Sequence, residues 1–182
     1  MKYEYYCLTD FHSPQECRRI REYLESNSTD KITDIPAENV VKTADVKHCF
    51  YGEVSDALEK MTHMIQSVNR RFFGFDLSPL SNFDTVHLNY YSEDKKGEYS
   101  WHADGVHNEM FDVKLTALLN LTEEPIEGGE FELFISGPTS VKDFNKLGSL
   151  LIFPSYINHR VLPVTKGTRI TLAHWLLGPN LR

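Results

Sequence analysis

The sequence predicts a mainly β chain with N-terminal helices, an α+β arrangement, on three observations. Apolar residues recur at helical spacing before Leu80, the pattern then changes to alternation broken by turns, and the alternating segments have two unlike faces. An apolar outer face covered by helices and a mixed inner face turned to a ligand suit a double-stranded β-helix, or jelly-roll, core packed against helices. The expected organisation is a single domain over 1–182, with 1–80 mostly helical support and 81–178 the jelly-roll core.

The first element opens at Ser13-Pro14-Gln15-Glu16, where a capping serine, a proline at the first helical position and a glutamate at the third mark a helix start. That helix is expected to run to about Glu25. Asn27 to about Val40 is rich in turn-forming and polar residues, and Val40-Val41 and Ala44-Asp45-Val46 are candidate short extended pieces. From Glu53 to Phe73, Val54, Leu58, Met61, Met64, Ile65, Val68 and Phe72 recur at helical spacing, which predicts a second helix packed on a sheet.

Beyond Leu80, Val86, Leu88 and Tyr90 oppose Thr85, His87, Asn89 and Tyr91. Val113, Leu115, Ala117, Leu119 and Leu121 form an apolar row expected on the outside, and Thr116, Leu118 and Asn120 a mixed row. The last run places Arg169, Thr171, Ala173 and Trp175 on one face, opposite Ile170, Leu172, His174 and Leu176. Gly128-Gly129 is expected to make a tight hairpin.

Composition narrows the function classes. The 182 residues, 41% hydrophobic, can bury a core without staples. A formal charge of −7, with only the short basic clusters Arg18-Arg19-Arg21 and Arg70-Arg71, argues against general nucleic-acid binding. Three cysteines, Cys7, Cys17 and Cys49, form neither a disulfide framework nor a zinc motif, so a reducing cytoplasmic setting is the expectation. The start lacks a secretory apolar core and no later run has membrane-spanning length, so no membrane association is expected. Oligomeric state is not legible.

The chemistry-bearing residues are His102-Ala103-Asp104, His159 and Arg169. In an extended segment, His102 and Asp104 share a face while Ala103 points away. Two imidazoles and one carboxylate on one side of a metal, with other positions open, form the facial triad of non-haem Fe(II) oxygenases. One carboxylate leaves a divalent cation with a net positive charge, so a dianionic co-substrate could chelate it. Arg169 offers a planar fork of donors for that ligand's far carboxylate. His-x-Asp alone is a weak signal in a chain with 8 histidines, whose competing reading is ordinary core or loop histidines. For Arg169 the competing reading is a surface ion pair.

The order of motifs is more specific. Tyr90-Tyr91 ends a strand, and Glu98-Tyr99 precedes His102-x-Asp104. Leu115 to Leu121, Glu127-Gly128-Gly129-Glu130, Gly148 to Pro154, His159-Arg160-Val161, Gly167-Thr168-Arg169 and Trp175 then follow. Together with Thr9 to Cys17 at the first helix entry, this resembles the Fe(II)/2-oxoglutarate-dependent dioxygenases, specifically the prolyl 4-hydroxylase-like branch, over most of the chain.

The resemblance implies Fe(II) held by His102, Asp104 and His159, with 2-oxoglutarate and O2 as co-substrates and ascorbate as a candidate reductant. Arg169 would anchor the distal carboxylate. Tyr91 would line the co-substrate pocket, with Tyr90 as a competitor, and Thr171 and Asn120 are further candidate contacts. Asn120 stands where prolyl hydroxylases commonly carry a tyrosine, a departure from the pattern. Trp175 would wall the pocket, and Tyr99 and Trp101 are aromatic packing or substrate contacts. His107, in Gly105 to Met110, is a candidate cover or an exposed loop histidine, and His174 is expected on the outer face.

The implied activity is hydroxylation of peptidyl proline. The alternatives are hydroxylation of a free amino acid or other small molecule, and a non-catalytic jelly-roll module that binds metal or a carboxylate. Partners would be a peptide, protein or small-molecule substrate. Lys42 to Tyr51, Glu93 to Glu98 and Gly105 to Asp112 are the expected substrate-deciding surfaces.

Overall fold

The computed structural model describes residues 3–29, 40–104 and 111–180. Helix α1 (Pro14–Ser26) begins in a complete capping box: Ser13 Oγ accepts from the Glu16 amide and the Glu16 carboxylate accepts from the Ser13 amide. This satisfies two amides that a helix start leaves orphaned. Its buried stripe is Cys17, Ile20 and Leu24, one residue per turn. Helix α2 (Tyr51–Val68) has no capping side chain; instead the Tyr51 and Gly52 amides donate to the carbonyls of Asp84 and Asn82. It buries Val54, Leu58, Met61, Ile65 and Val68, and a π-helical turn (Asn69–Phe73) ends it at left-handed Gly74.

The strands are β1 (Tyr6–Leu8), β2 (Lys42–Thr43), β3 (Asp45–Phe50), β4 (Thr85–Ser92), β5 (Glu98–His102), β6 (Phe111–Asn120) and β7 (Glu127–Gly128). Then come β8 (Phe131–Phe134), β9 (Pro138–Ser140), β10 (Leu150–Pro154), β11 (His159–Val161), β12 (Val164–Lys166) and β13 (Thr168–Pro179). A six-stranded sheet has the order β1-β10-β6-β13-β4-β3, a five-stranded sheet the order β2-β5-β11-β8-β9, and β12 pairs with β7. All the strand pairs are antiparallel. The α+β jelly-roll expectation is met. The N-terminal region contributes more than helical support, because β1 and β3 form both edges of the large sheet and β2 an edge of the small one.

Strand parity divides the interior into two cores. Val86, Leu88, Leu115, Ala117, Leu119 and Leu172 face outward onto Leu24, Leu58, Met61 and Ile65 of the helices. Tyr91, Leu118, Leu151, Phe153 and Ala173 face inward onto Phe131, Leu133 and Val161 of the small sheet. The expected hairpin at Gly128-Gly129 is corrected: β7 pairs with β12, whereas β8 pairs with β11 and β9, so the chain changes sheets there. Both glycines have positive φ, 72° and 69°, and a Cβ on Gly128 would lie 2.3 Å from the Pro163 carbonyl oxygen.

The extended pieces before α2 shift to Lys42–Thr43 and lengthen to Asp45–Phe50. Cys7, Cys17 and Cys49 are free thiols. No helix among the described residues is long and apolar enough to cross a membrane.

Candidate metal centre

His102 and His159 face each other across the β5–β11 pair, with ring centroids 4.1 Å apart, and Asp104 lies two residues beyond the end of β5. Each imidazole is oriented by a carbonyl: His102 Nδ1 lies 2.8 Å from the Ser100 oxygen and His159 Nδ1 3.0 Å from that of Ile157. A carbonyl only accepts, so Nδ1 carries a proton in both rings, which leaves Nε2 as the atom that can offer a lone pair to a metal. Those Nε2 atoms lie 3.8 Å and 3.5 Å from the two Asp104 carboxylate oxygens. One donor atom from each residue lies within 4.8 Å of the others. Two neutral imidazoles and one carboxylate converging in this way fit a divalent transition metal.

The electrostatics set the protonation states of His102 and Asp104. Burial pushes the His102 imidazolium down to about 4, His159 adds to the shift, and Asp104 opposes it. Burial would raise the Asp104 carboxyl, yet the two histidines and hydrogen bonds from Thr116 and Trp175 outweigh it and hold the group below its usual range. Thr116 Oγ1 donates to Asp104 at 2.7 Å and is itself 2.9 Å from Ser155 Oγ. At neutral pH the site therefore presents a neutral His102 imidazole and the Asp104 anion.

The three donors line a cavity with Arg169, Tyr91, Thr171, Ala173, Trp175, Tyr99 and Lys42 among its walls. Arg169 is only 1% exposed, yet its Nε and Nη2 meet no hydrogen-bond partner among the described residues. Its Cζ sits 5.3 Å from the Phe144 ring centre. Burial lowers its pKa to about 10, with Tyr91 and Glu130 opposing, so the guanidinium stays charged at neutral pH. A buried cation with idle donors is costly unless a carboxylate meets it. Those orphaned donors, in the same cavity as the triad, fit a co-substrate with one chelating end and one distal carboxylate.

Other expected residues divide by geometry. Tyr91 is the cross-strand partner of Arg169 and lines the cavity. Tyr90, on the opposite face, sends its hydroxyl to Glu25 instead. Thr171 follows Arg169 along the same face. Asn120 is not brought into the cavity wall: its Nδ2 donates to the Phe144 carbonyl and its Oδ1 accepts from the Thr122 amide, both at 2.9 Å. Leu118, one residue pair earlier, is what β6 contributes to the wall. His174 is fully buried on the outer face, as its parity predicts. His107 lies outside the described residues. Glu93 to Gly97 form the turn between β4 and β5, at the opposite end of β5 from His102, tied by reciprocal hydrogen bonds between Glu93 and Gly167, and are not among the cavity-lining residues.

Tyr99, expected as aromatic packing or a substrate contact, stacks its ring on that of His102 at 3.5 Å and 18°. Parity predicts opposite faces, since the two are three positions apart. The register shifts between the pairs His159↔His102 and Val161↔Tyr99, so a bulge brings both residues to the inner face. Trp101 packs instead against Phe134 and under Arg160.

Among curated relatives, a PKHD-type hydroxylase of Gloeothece citriformis is 42% identical over 66 residues, which is 36% of this chain but only 29% of that protein. The PKHD-type hydroxylase YbiX of Escherichia coli O81 is 28% identical over 174 residues, 90% of this chain and 74% of its own. The fold matches the crystal structure of a prolyl-4-hydroxylase from Pseudomonas putida with a TM-score of 0.73 at 19% identity, covering 98% of this chain and 94% of that one. It also matches a prolyl hydroxylase from Trichoplax adhaerens, solved with a peptide fragment of the hypoxia inducible factor oxygen degradation domain. That match has a TM-score of 0.68 at 16% identity and covers 95% and 83% of the two chains. Residues 86–177, which carry the histidines, Asp104 and Arg169, match the 2OG-Fe(II) oxygenase superfamily, a family that uses Fe(II) and 2-oxoglutarate, and the chain belongs to it.

Proposed function

We propose that this chain is an Fe(II)- and 2-oxoglutarate-dependent hydroxylase whose substrate is a peptidyl proline. The observation that carries the reading is the pairing, in one cavity, of three convergent metal donors with the charged, buried Arg169, whose Nε and Nη2 have no partner among the described residues. When bound, Fe(II) and 2-oxoglutarate supply oxidative chemistry in which O2 gives one atom to a substrate C–H bond and the other to the 2-oxo acid, leaving succinate and CO2.

The chain's own groups bind and orient. His102 and His159 offer Nε2, and Asp104 supplies the anionic donor. Thr116 and Trp175 hold the Asp104 carboxylate in place, and Tyr99 packs flat on His102. Arg169 receives the distal carboxylate of 2-oxoglutarate, with Tyr91 and Thr171 beside it. Leu118, Phe131, Val161 and Ala173 exclude water from around it. No side chain has to act as a general base.

The proline assignment draws support from the prolyl hydroxylase folds, and the peptide bound to the Trichoplax protein supports a peptide substrate. The test is incubation with Fe(II), 2-oxoglutarate, ascorbate and O2 in the presence of proline-containing peptides and, separately, free amino acids. A peptide that gains one oxygen atom in step with succinate is the expected result. Oxygen gain in amino acids alone would move the assignment to a small-molecule hydroxylase. Metal binding without succinate from any mixture would favour a binding module.

A further inference from the structure

Among the described residues that line the cavity, Asn89 is the one amide side chain, and the proposed function gives it no role. It is 4% exposed, and its Oδ1 is buried with no hydrogen-bond partner among the described residues. Its Nδ2 donates to the His87 carbonyl at 3.4 Å. A carbonyl only accepts, so the nitrogen end of the amide belongs on that side and the oxygen end is left over. A buried acceptor without a donor destabilises the fold unless a ligand supplies the donor.

Two strands fix the position of this oxygen. Asn89 pairs with Thr171 of β13 on one side and with Val46 of β3 on the other. The inner face of β13 runs from Arg169, the proposed carboxylate anchor, to Trp175, which holds Asp104. Opposite Thr171, Asn89 therefore stands between the anchor and the metal end of that face, one strand to the side. The co-substrate cannot satisfy its oxygen. At neutral pH 2-oxoglutarate is a dianion whose ketone and carboxylates all accept, and it has no proton to donate. A ligand donor has to come from the molecule being hydroxylated.

We propose that Asn89 is a substrate-recognition residue whose Oδ1 accepts a hydrogen bond from an N–H of the molecule being hydroxylated, so that the substrate class carries an N–H beside the reacting ring. This rests on the cavity being a hydroxylase site. A proline within a peptide has no N–H of its own, so the donor is the amide of the residue that follows it or, in free proline, the ring nitrogen.

The experiment measures binding of two matched probe pairs to protein loaded with Mn(II) and 2-oxoglutarate without O2. One pair is an acetylated, amidated Ala-Pro-Ala peptide and its counterpart with an ester in place of the amide after proline, which exchanges that N–H for oxygen. The other is L-proline and tetrahydrofuran-2-carboxylate, which makes the same exchange in the ring. The expected result is a preference of about tenfold or more for the N–H member of one pair, because its analogue loses a hydrogen bond and sets one oxygen against another. That pair identifies the source. Asn89→Leu, which keeps the size and removes the acceptor, should reduce the preference to about twofold or less. Asn89→Ala carries the same expectation without requiring a new side chain to fit. Asn89→Asp keeps an acceptor and should retain the preference. The affinity of Asn89→Leu for 2-oxoglutarate should stay within about twofold of wild type.

A wild-type protein without preference in either pair, or Asn89→Leu and Asn89→Ala variants that keep the wild-type preference, would overturn the proposal. So would a loss of 2-oxoglutarate affinity in those variants with the preference intact, which would make Asn89 a co-substrate contact. Succinate production by the wild type separates the two readings. If succinate forms without an N–H preference, the Asn89 proposal alone fails; if no succinate forms under any condition, the hydroxylase reading beneath it fails.

Discussion

The two faces of β13 can be compared residue by residue, because one backbone supplies both. Inward, Arg169, Thr171, Ala173 and Trp175 line the cavity, and Arg169 keeps donors without partners among the described residues. Outward, Ile170, Leu172 and Leu176 meet the helices in a closed apolar layer. Residues one step apart thus serve opposite ends. The inner face holds polar groups at a cost to stability because a ligand will use them, and the outer face supplies the burial that offsets the cost. Substitutions on the two faces should therefore separate function from stability.

The largest functional effect is expected from Asp104→Ala on the inner face. It removes the anionic donor, so Fe(II) affinity and turnover should fall by more than about 100-fold, beyond the range for groups that merely support ligands. The melting temperature of the metal-free protein should change little. Anaerobic Fe(II) titration and thermal denaturation check both halves, and unchanged iron affinity would remove Asp104 from the ligand set.

Arg169→Ala comes next, also on the inner face. Losing a buried charge-assisted fork costs about 2–5 kcal/mol, or roughly 30-fold to several thousand-fold in the concentration of 2-oxoglutarate required. Metal-free stability should not fall with it, since the residue removed is a buried cation with idle donors. Titration of 2-oxoglutarate dependence is the readout.

Leu58→Ala sharpens the comparison from the helical side. Leu58 is fully buried against the outer face, so its truncation should cost about 2–5 kcal/mol of stability. The 2-oxoglutarate requirement of the molecules that remain folded should hold steady. A denaturant melt measured beside the co-substrate titration would show whether the faces are independent.

The smallest of these effects is pH-dependent and belongs to His174. Burial pushes its imidazolium down to about 4 from an ordinary 6.5. Between those values the unfolded chain binds a proton that the folded one does not, so stability falls as pH drops from about 6.5 to about 4 and levels off below. The slope is at most about 1.4 kcal/mol per pH unit for this histidine. His102, also lowered to about 4, adds to the same window from the inner face. In metal-free protein, His174→Phe should flatten part of the slope seen in denaturant melts between pH 4 and 6.5 and leave the His102 part.

Strand parity made much of this fold legible in the sequence. The outer and inner rows of β4, β6 and β13, the capping box at Ser13 and the inward Arg169–Trp175 run all follow from spacing. What escaped are features that break periodicity or are too short to have any. The bulge in β5 turns Tyr99 inward against parity. Two-residue β2, which brings Lys42 to the cavity, has no pattern to read, although Lys42 to Tyr51 was expected to shape substrate choice. Asn120 lies on the inner face as its parity predicts, but parity does not reveal that its amide binds the Phe144 carbonyl and the Thr122 amide. Gly128-Gly129 had the residue type of a hairpin, but strand pairing, a tertiary property, decided otherwise.

The central claim is that the triad and Arg169 hold Fe(II) and 2-oxoglutarate together in one cavity. Anaerobic titration of the purified protein with Fe(II) and then 2-oxoglutarate tests it most directly, followed by visible absorption spectroscopy. The account predicts the weak visible charge-transfer band of a 2-oxo acid chelated to Fe(II), saturating at one equivalent of each, and its loss in Asp104→Ala. Folded wild-type protein that binds Fe(II) and develops no such band with excess 2-oxoglutarate would contradict it.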